Sequence, residues 1–263
     1  MLLVGILRKS RDTHMINLYD ISLILISGFA IVVFIALFFI SAPYGKFSRK
    51  GWGPVIKSKW AWMSMEFASP ALILIFFIIS ENKNLPQIIM MVLWLGHYLH
   101  RTFFYPFMQS GREKGFPILL VLMAFIFNCL NGFANGYGVF NLYSYDLSYL
   151  LKWNFVAGIL VFITGFLINK TADAKLRNFG NQSPSGYIVP HGWLFDYISS
   201  PHYLGEIIEW AGWAVMTWSL PGLAFSVFTF ANLFPRAITS HKWYKSHFPE
   251  YPPGRKAIIP GLF

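Results

Sequence analysis

Glu66 and Tyr98 are the two residues whose types and spacing best suit catalysis. Glu66 precedes Ser80 by about four helical turns, and Tyr98 follows Leu85 by nearly the same length. Two antiparallel helices joined by the polar turn at 81–84 would therefore place both side chains about 20 Å below that turn. A phenol hydrogen-bonded to a neighbouring acid can polarise a carbonyl and stabilise a developing enolate. The spacing predicts such a pair, provided that the two helical faces agree.

Other ionisable residues also lie in segments that are otherwise apolar. Glu206 and Glu209 are three residues apart, so they share one helical face and need hydrogen-bond donors. His97 and His100 flank Tyr98 but point to other faces, and no cluster has the spacing of metal ligands, so we predict no metal site. A charged residue in the middle of a membrane helix costs roughly 2.5–3.5 kcal/mol. We therefore expect these residues to line a polar cavity inside the membrane.

The composition is that of an integral membrane protein. Of the 263 residues, 56% are hydrophobic and only 12% are charged, about half the charged share of soluble domains. Little is left for a soluble domain, so residues 1–263 are predicted to form a single membrane-embedded domain. The first apolar run is a full span, which argues against a cleavable signal peptide, and the lone Cys129 excludes an intrachain disulfide. No glycine-rich nucleotide motif is present, so any nucleotide must bind a site built from helices.

Hydropathy and charge predict an all-α fold and its orientation. Seven spans are predicted near 18–40, 64–80, 85–107, 116–139, 149–169, 203–220 and 221–238, and the segment 219–222 predicts a tight turn between the last two. Of the 21 basic residues, 16 fall on the face that carries the carboxyl terminus. The positive-inside rule then places the amino terminus outside and the carboxyl terminus in the cytoplasm. Charge of this kind reports membrane orientation, and we predict no nucleic-acid partner.

Two predicted cytoplasmic segments could bind an anion. The long loop at about 170–202 is rich in Asn, Gly, Pro, Ser and Tyr, and the basic tail spans 235–263. Loops of this length are commonly functional, and Arg and Lys side chains bind phosphates. We therefore expect the cavity to open toward the cytoplasm and to bind an anionic cofactor there, although solvated loops that only fix topology would look similar.

A series of short motifs occurs one after another along most of the chain. They are Tyr44-Gly45-Lys46, the segments 62–66 and 97–103, Asn131-Gly132, the polar positions Asn169, Asp173 and Arg177, the block 192–210, and the tail 248–260. In order and spacing these motifs resemble the steroid 5α-reductase family of membrane enzymes. The resemblance extends from about Tyr44 to Phe263, and only the first span is generic.

The resemblance implies a seven-helix enzyme that uses NADPH to reduce the Δ4 double bond of a 3-oxo-Δ4-steroid. Tyr98, oriented by Glu66, would donate a hydrogen bond to the C3 carbonyl while hydride is added at C5 on the α face. The implied cofactor-binding residues are Arg112, Asn131, Asn169, Asp173, Arg177, Tyr187, His202, Glu206, Arg236, Tyr244 and Arg255. We also expect a monomer surrounded by membrane lipid, in a bacterial inner membrane.

Four positions depart from the family pattern. His202 and Gln109 stand where Asn is common, and Gly180 and Ile188 stand where Arg is common. Phosphate contacts at Gly180 and Ile188 are therefore not expected. The alternatives are a reductase of another activated alkene, such as an enoyl thioester, polyprenol or terpenoid enone, an isoprenylcysteine-type methyltransferase, and a lipid-binding or transport protein.

Overall fold

The computed structural model describes residues 2–81, 83–109, 113–182 and 187–262, with side chains from Thr13 onward. Nine α-helices lie within these ranges: α1 (Leu2–Phe39), α2 (Ser58–Glu66), α3 (Ala68–Ile79), α4 (Leu85–Leu99), α5 (Tyr105–Met108), α6 (Ile118–Tyr137), α7 (Trp153–Asn181), α8 (Pro201–Thr217) and α9 (Leu220–His247). Strands β1 (Val55–Lys57) and β2 (Gly115–Pro117) form one short antiparallel pair, which opposes Val55 to Pro117. The fold is therefore helical as predicted, apart from this small pair.

Four helical segments are long and apolar enough to cross a bilayer: Thr13–Phe39, Ser58–Ile79, Ile118–Leu142 and Trp153–Asn181. They coincide with four of the predicted spans. The other three predicted spans also fall on helices, namely α4 with α5, α8 and α9. These helices are shorter or carry more polar residues, and α8 has 17 residues. The protein is thus a helical membrane protein, while the count of seven spans stays a prediction.

Two helices continue well beyond their predicted ends. The prediction of a loop from residue 170 is wrong in its first part, because α7 continues to Asn181. The predicted tail from residue 235 is likewise helical until α9 ends at His247. Hydropathy follows apolar composition, so it misses helical turns that carry polar side chains beyond the apolar stretch. These extra turns carry part of the candidate site.

The turn between α8 and α9 lies close to where the sequence predicts it. Trp218 adopts the left-handed conformation, with φ 47°, directly after α8. Ser219 then caps α9, because its hydroxyl accepts a hydrogen bond from the backbone N–H of Gly222 at 3.3 Å. The two helices therefore run antiparallel, which places the start of α8 beside the end of α9.

A break between α2 and α3 puts Glu66 at an irregular point of the chain. Proline has no backbone N–H, so Pro70 cannot donate to the carbonyl of Glu66 four residues earlier. The helix is interrupted at Phe67, and Glu66 becomes the last residue of α2. Its side chain is buried there. The sequence places Glu66 at the beginning of a span, whereas the structure places it at this interruption within a longer apolar segment.

Helices α7 and α8 pack with their backbones in direct contact. A Cβ atom added to any of four glycines on these helices would overlap backbone of the facing helix. The glycines are Gly158, Gly165, Gly205 and Gly212, and the facing residues are Met216, Glu209, Asn169 and Phe162, respectively. Small residues allow this approach, which is a common way to join membrane helices. The two helices therefore act as one rigid unit.

Aromatic side chains from α4, α8 and α9 fill the centre of the bundle. The Trp94 ring lies 5.1 Å from the Trp210 ring and 4.8 Å from the Trp213 ring, measured between centroids. Phe225 of α9 lies 4.4 Å from Trp210. The indole N–H of Trp94 is not lost on burial, because it donates to Ser69 Oγ at 3.1 Å. This aromatic core packs α4, α8 and α9 together, and α8 and α9 carry part of the candidate site.

Candidate active site

A cavity of about 320 Å³ lies between the end of α7, the start of α8, the end of α9 and the turn Gly45–Phe47. This volume is within the range of ligand pockets, roughly 300–1,000 Å³. The cavity wall combines carboxylates, cations and aromatic rings from segments that are far apart in the sequence. Of the residues predicted to bind a cofactor, those at its wall are Asn169, Asp173, Arg177, Tyr187, His202, Glu206, Arg236 and Tyr244.

Arg101 connects the cavity to the predicted catalytic acid. It lies in the π-helical segment His100–Phe104, and its Nε donates to Glu66 Oε1 at 3.3 Å. Its Nη1 lies 3.7 Å from Glu206 Oε2. The Trp62 ring centroid is 4.9 Å from the guanidinium carbon, which favours the cation electrostatically. One arginine therefore balances two carboxylates, one beneath the cavity and one on its wall.

Glu66 and Tyr98 lie in the same region, but no hydrogen bond joins them among the described residues. Glu66 instead accepts from Arg101 and from Asn128 Nδ2, the latter at 3.4 Å. Tyr98 is 4% exposed, and its ring stacks on Trp94 at 5.2 Å. Arg101, which contacts Glu66, follows Tyr98 by three residues in the sequence. Direct orientation of Tyr98 by Glu66 stays a prediction.

Glu206 and Glu209 share one side of α8 but have different surroundings. Glu206 lines the cavity, where Asn169 Nδ2 donates to its Oε2 at 3.4 Å. Glu209 lies deeper, fully buried, and its Oε1 is 2.7 Å from His97 Nδ1. The donors required by the sequence are therefore an amide, an arginine and a histidine. The second carboxylate supports the packing of α4 against α8 and is not part of the cavity wall.

The close packing of α7 and α8 positions Asn169. Gly205 lies against the backbone of Asn169, and this close approach lets the Asn169 side chain reach across to the start of α8. Asn169 Nδ2 donates to the carbonyl of His202 at 3.0 Å as well as to Glu206. This amide is thereby held in one orientation. Its Oδ1 atom is buried and has no partner among the described residues.

Three unsatisfied polar atoms suit the cavity to a polar ligand. Ser200 Oγ and His202 Nδ1, like Asn169 Oδ1, are buried without a partner among the described residues. All three residues line the cavity. A buried polar group without a hydrogen bond costs about 1–3 kcal/mol, so a ligand whose donors and acceptors reach these atoms would be favoured here. A hydrocarbon alone would leave them unsatisfied.

Cations and aromatic rings form the opposite wall. Arg236 donates from Nη2 to Tyr203 OH at 3.2 Å, and the Tyr44 ring lies 5.2 Å from its guanidinium carbon. Lys46 Nζ lies 4.2 Å from the Tyr244 ring centroid and 4.4 Å from that of Trp243. Desolvation lowers the pKa of Lys46 to about 7 and also raises the pKa of Tyr187. These groups could hold an anion.

Not every basic residue of the predicted cytoplasmic face is available for an anion. Lys59 and Lys57 pair with Glu113 at 2.6 and 3.0 Å. Hydrogen bonds from these two ammonium groups lower the pKa of Glu113 to about 2. The three side chains flank the β1–β2 pair and neutralise one another in part. They therefore differ from Lys46, for which the structure shows no carboxylate partner among the described residues.

Three residues predicted to bind the cofactor are not placed at the cavity. Arg112 lies outside the described residues. Asn131 is fully buried within α6, where its Oδ1 accepts from Asn135 Nδ2 at 2.9 Å. Arg255 is also buried, and its Nη1 donates to the carbonyl of Pro190 at 2.9 Å. Asn131 and Arg255 contact protein in the structure, and their assignment to a cofactor stays a prediction.

Sequence reasoning counts Arg101 among the ionisable residues of the apolar spans and Lys46 among the basic residues that report orientation, but it gives neither residue a role at this site. Arg101 and Lys46 each occur within the motifs that carry the family resemblance, but a single Arg or Lys near the end of a span usually reports membrane orientation. The burial of Arg101 between two carboxylates depends on contacts among α2, α8 and the segment after α4. The ring cage around Lys46 depends on α9. Neither arrangement leaves a local signal in the sequence.

Comparison with known proteins identifies the class. A family profile described as 3-oxo-5-alpha-steroid 4-dehydrogenase matches residues 114–263. The chain is 43% identical over 237 residues to a protein named steroid 5-alpha-reductase DET2 of Arabidopsis thaliana, covering 87% of this chain and 90% of the relative. It is 40% identical to the protein of the same name from Gossypium hirsutum, covering 94% and 98%. It is 36% identical to 3-oxo-5-alpha-steroid 4-dehydrogenase 1 of Homo sapiens, covering 85% and 87%.

The chain therefore belongs to the 3-oxo-5-alpha-steroid 4-dehydrogenase family, and the resemblance inferred from its motifs is confirmed. It is an oxidoreductase that acts on CH–CH bonds. A methyltransferase or a non-catalytic transport protein does not fit this membership. The chemistry of the cavity can be considered on that basis.

Proposed function

We propose that this enzyme reduces the Δ4 double bond of a 3-oxo-Δ4-steroid to the 5α product, using NADPH. The names of the relatives support a steroid substrate. One structural observation supports the chemistry above all. Arg101 joins the buried acid Glu66, beneath the cavity, to Glu206 on the wall of a polar cavity. A steroid bound near Glu66 and Tyr98 would then lie beside a cofactor bound in the cavity, so that a hydride could pass between them.

On the substrate side, Tyr98 is the proposed electrophile. Its hydroxyl would donate a hydrogen bond to the C3 carbonyl oxygen, which draws electron density from the conjugated alkene and makes C5 electrophilic. Glu66 and Arg101 would fix the polarity around that hydroxyl, because Arg101 keeps the Glu66 carboxylate in place. Addition of a hydride at C5 would give an enolate, and uptake of a proton from solvent at C4 would complete the reduction. Packing of Tyr98 against Trp94 holds the ring for this role.

On the cofactor side, the cavity wall offers both cations and neutral polar groups. A bound nicotinamide cofactor would supply the hydride. Arg177, Arg236 and Lys46 are proposed to bind its phosphates, because each presents a cation at the wall. Asn169, Ser200 and His202, through the unsatisfied polar atoms described above, and the Glu206 carboxylate are proposed to bind the nicotinamide end. A preference for NADPH over NADH would rest on the number of these cations.

We also propose seven spans, with the amino terminus outside and the cavity facing the cytoplasm. The asymmetric distribution of basic residues supports this orientation. A cytoplasmic opening would give a soluble nucleotide access, whereas the steroid would enter from the lipid. The relatives compared above come from plants and mammals, so the predicted bacterial inner membrane stays a prediction.

NADPH consumption by the purified protein in detergent tests this proposal. Testosterone and progesterone serve as substrates, and mass analysis with stereochemical assignment identifies the product. We expect a gain of two hydrogens and the 5α configuration. NADPH binding without turnover of either steroid would redirect the search to other enones. Failure to bind NADPH at any concentration below millimolar would contradict the proposed cofactor.

A further inference from the structure

The carboxyl-terminal segment 248–262 packs against the chain that leads into α8. The backbone N–H groups of Ser199 and Ser200 donate to the carbonyls of Lys256 and Ala257 at 2.8 and 3.1 Å. The N–H of Lys256 donates in return to the carbonyl of Tyr197 at 2.9 Å. Two segments more than fifty residues apart are thus joined by a single parallel β-bridge between Ile198 and Lys256. Residues 190–200, which precede α8 and are called the lead below, are held by these hydrogen bonds to the carboxyl-terminal segment, called the tail.

One buried hydroxyl gathers the side-chain contacts of this junction. Ser199 Oγ lies 2.5 Å from Tyr251 OH, 2.6 Å from His241 Nδ1 and 3.0 Å from the carbonyl oxygen of Lys256. A serine hydroxyl donates one hydrogen bond and accepts two. The carbonyl oxygen of Lys256 can only accept, so only one arrangement of the protons makes all three contacts hydrogen bonds at the same time. Ser199 then donates to Lys256, while Tyr251 and the Nδ1–H of His241 both donate to Ser199.

The other end of the lead is also held from the tail. Arg255 donates to the carbonyl of Pro190 at 2.9 Å, and its guanidinium carbon lies 4.9 Å from the ring centroid of Tyr251. Tyr251 in turn stacks on Tyr244 of the cavity wall at 5.6 Å. The segment 190–200 is therefore fixed at both of its ends by residues of the tail.

The junction matters for function because the lead forms part of the cavity wall. Ser199, Ser200 and His202 all line the cavity, and two of them present the unsatisfied atoms Ser200 Oγ and His202 Nδ1. A displacement of the lead would move these atoms, while leaving α7 and the body of α8 joined by their glycine contacts. The tail thus acts on the polar wall without touching the ligand itself.

We propose that Tyr251, His241 and Ser199 are positioning residues, through which the carboxyl-terminal segment braces the polar wall and sets the affinity for the cofactor. This inference rests on the proposed function for the identity of the ligand. It does not require any of the three side chains to contact cofactor or steroid. Arg255 belongs to the same brace, which gives a structural role to a residue that the sequence assigns to the cofactor itself.

Tyr251→Phe is the first test, because it removes one donor and keeps the ring that stacks on Tyr244. We expect the Kd and the KM for NADPH to rise about tenfold, the loss expected for one buried hydrogen bond, while kcat at saturating cofactor stays within about twofold. Tyr197→Phe is the matched control, since this tyrosine lies in the adjoining segment 190–200 but its side chain is exposed. It should leave both constants unchanged.

The assigned proton positions give a second, sharper comparison. His241→Asn keeps an N–H donor toward Ser199, whereas His241→Asp has the same size but can only accept in its ionised form. We expect His241→Asn to retain near wild-type affinity for NADPH and His241→Asp to lose it about tenfold or more. Equal affinities in the two variants would contradict the assignment, and so would a weaker affinity in the Asn variant.

Hydrogen–deuterium exchange without any ligand separates this inference from the proposed function. In Tyr251→Phe the amides of Ser199 and Ser200 should exchange about tenfold faster than in the wild-type protein, with α7 unchanged. Unchanged exchange in a folded variant would refute the brace. Faster exchange with unaltered NADPH affinity would refute its role in positioning. A wild-type protein that does not bind NADPH would overturn the proposed function, and exchange alone would then decide whether the brace exists.

Discussion

Replacement of Tyr98 by Phe gives the most direct test of the proposed chemistry. Tyr98 is 4% exposed, and its ring is held by Trp94 at 5.2 Å and Trp210 at 5.7 Å. Phenylalanine fills the same space, so the ring stays in position and only the hydroxyl is removed. The variant therefore isolates one hydrogen-bond donor from the packing around it.

The magnitude follows from the role of that donor. Removal of a single hydrogen bond to a developing oxyanion typically lowers kcat by about 10²–10³, or about 2.7–4 kcal/mol of transition-state stabilisation. We expect a loss of this size in single-turnover reduction of testosterone with NADPH. The Kd for NADPH should stay within about twofold, since Tyr98 is not among the residues that line the cavity.

Tyr145→Phe serves as the matched control. Tyr145 is also buried, and its hydroxyl donates to the carbonyl of Thr217 at 2.8 Å, at the α8–α9 turn. Its replacement by Phe should lower the free energy of unfolding by about 1 kcal/mol without affecting the rate of steroid reduction. The reasoning is refuted if Tyr98→Phe, with wild-type stability, reduces the steroid at a rate within about fivefold of the wild-type enzyme.

Three further perturbations test other parts of the site. Arg101→Gln should lower kcat/KM at least about tenfold, because it leaves Glu66 and Glu206 without their shared cation. Steady-state kinetics test this, and an unchanged kcat/KM would contradict it. NADPH affinity should weaken as pH rises above about 7, where Lys46 loses its charge, and Lys46→Arg should flatten that dependence in a titration from pH 6 to 9. Gly205→Ala should cost about 1–3 kcal/mol and reduce cofactor binding, because the new methyl group meets the backbone of Asn169. Thermal melts of Gly28→Ala, where a Cβ has no neighbour within 4 Å, provide its control.

The apolar helices and much of the cavity wall could be predicted from the sequence. Long apolar stretches indicate α1, α3, α6 and α7 because a bilayer requires such lengths. Family motifs pointed to eight residues that do line the cavity, although they come from three helices and a loop. The pairing of Glu66 with Tyr98 by their matched depth stays a prediction. Composition and spacing are sufficient for the apolar helices because these depend on length along a helix, whereas the residues of the cavity wall were implied only by the family resemblance.

Features that depend on contacts between distant segments could not be predicted in this way. Hydropathy ended α7 at residue 169, whereas polar turns carry Asp173 and Arg177 further along the same helix. The sequence paired Glu66 with Tyr98, but rotation about each helix axis decides such a contact, and Arg101 takes that place. The Ser199 junction joins chain segments that share no periodicity. Register and rotation of helices are properties of packing, which a single sequence specifies only collectively.

The four glycines between α7 and α8 bear on how enzymes built on this scaffold can diverge. A side chain at any of them would force the two backbones apart, so this half of the cavity resists change by single substitutions. On the opposite side, α2 and α5 meet through side chains such as Trp62 and Tyr105, whose ring centroids lie 5.5 Å apart and which can be exchanged more freely. Substrate range is therefore expected to drift on one side of the cavity, while the other is inherited nearly intact.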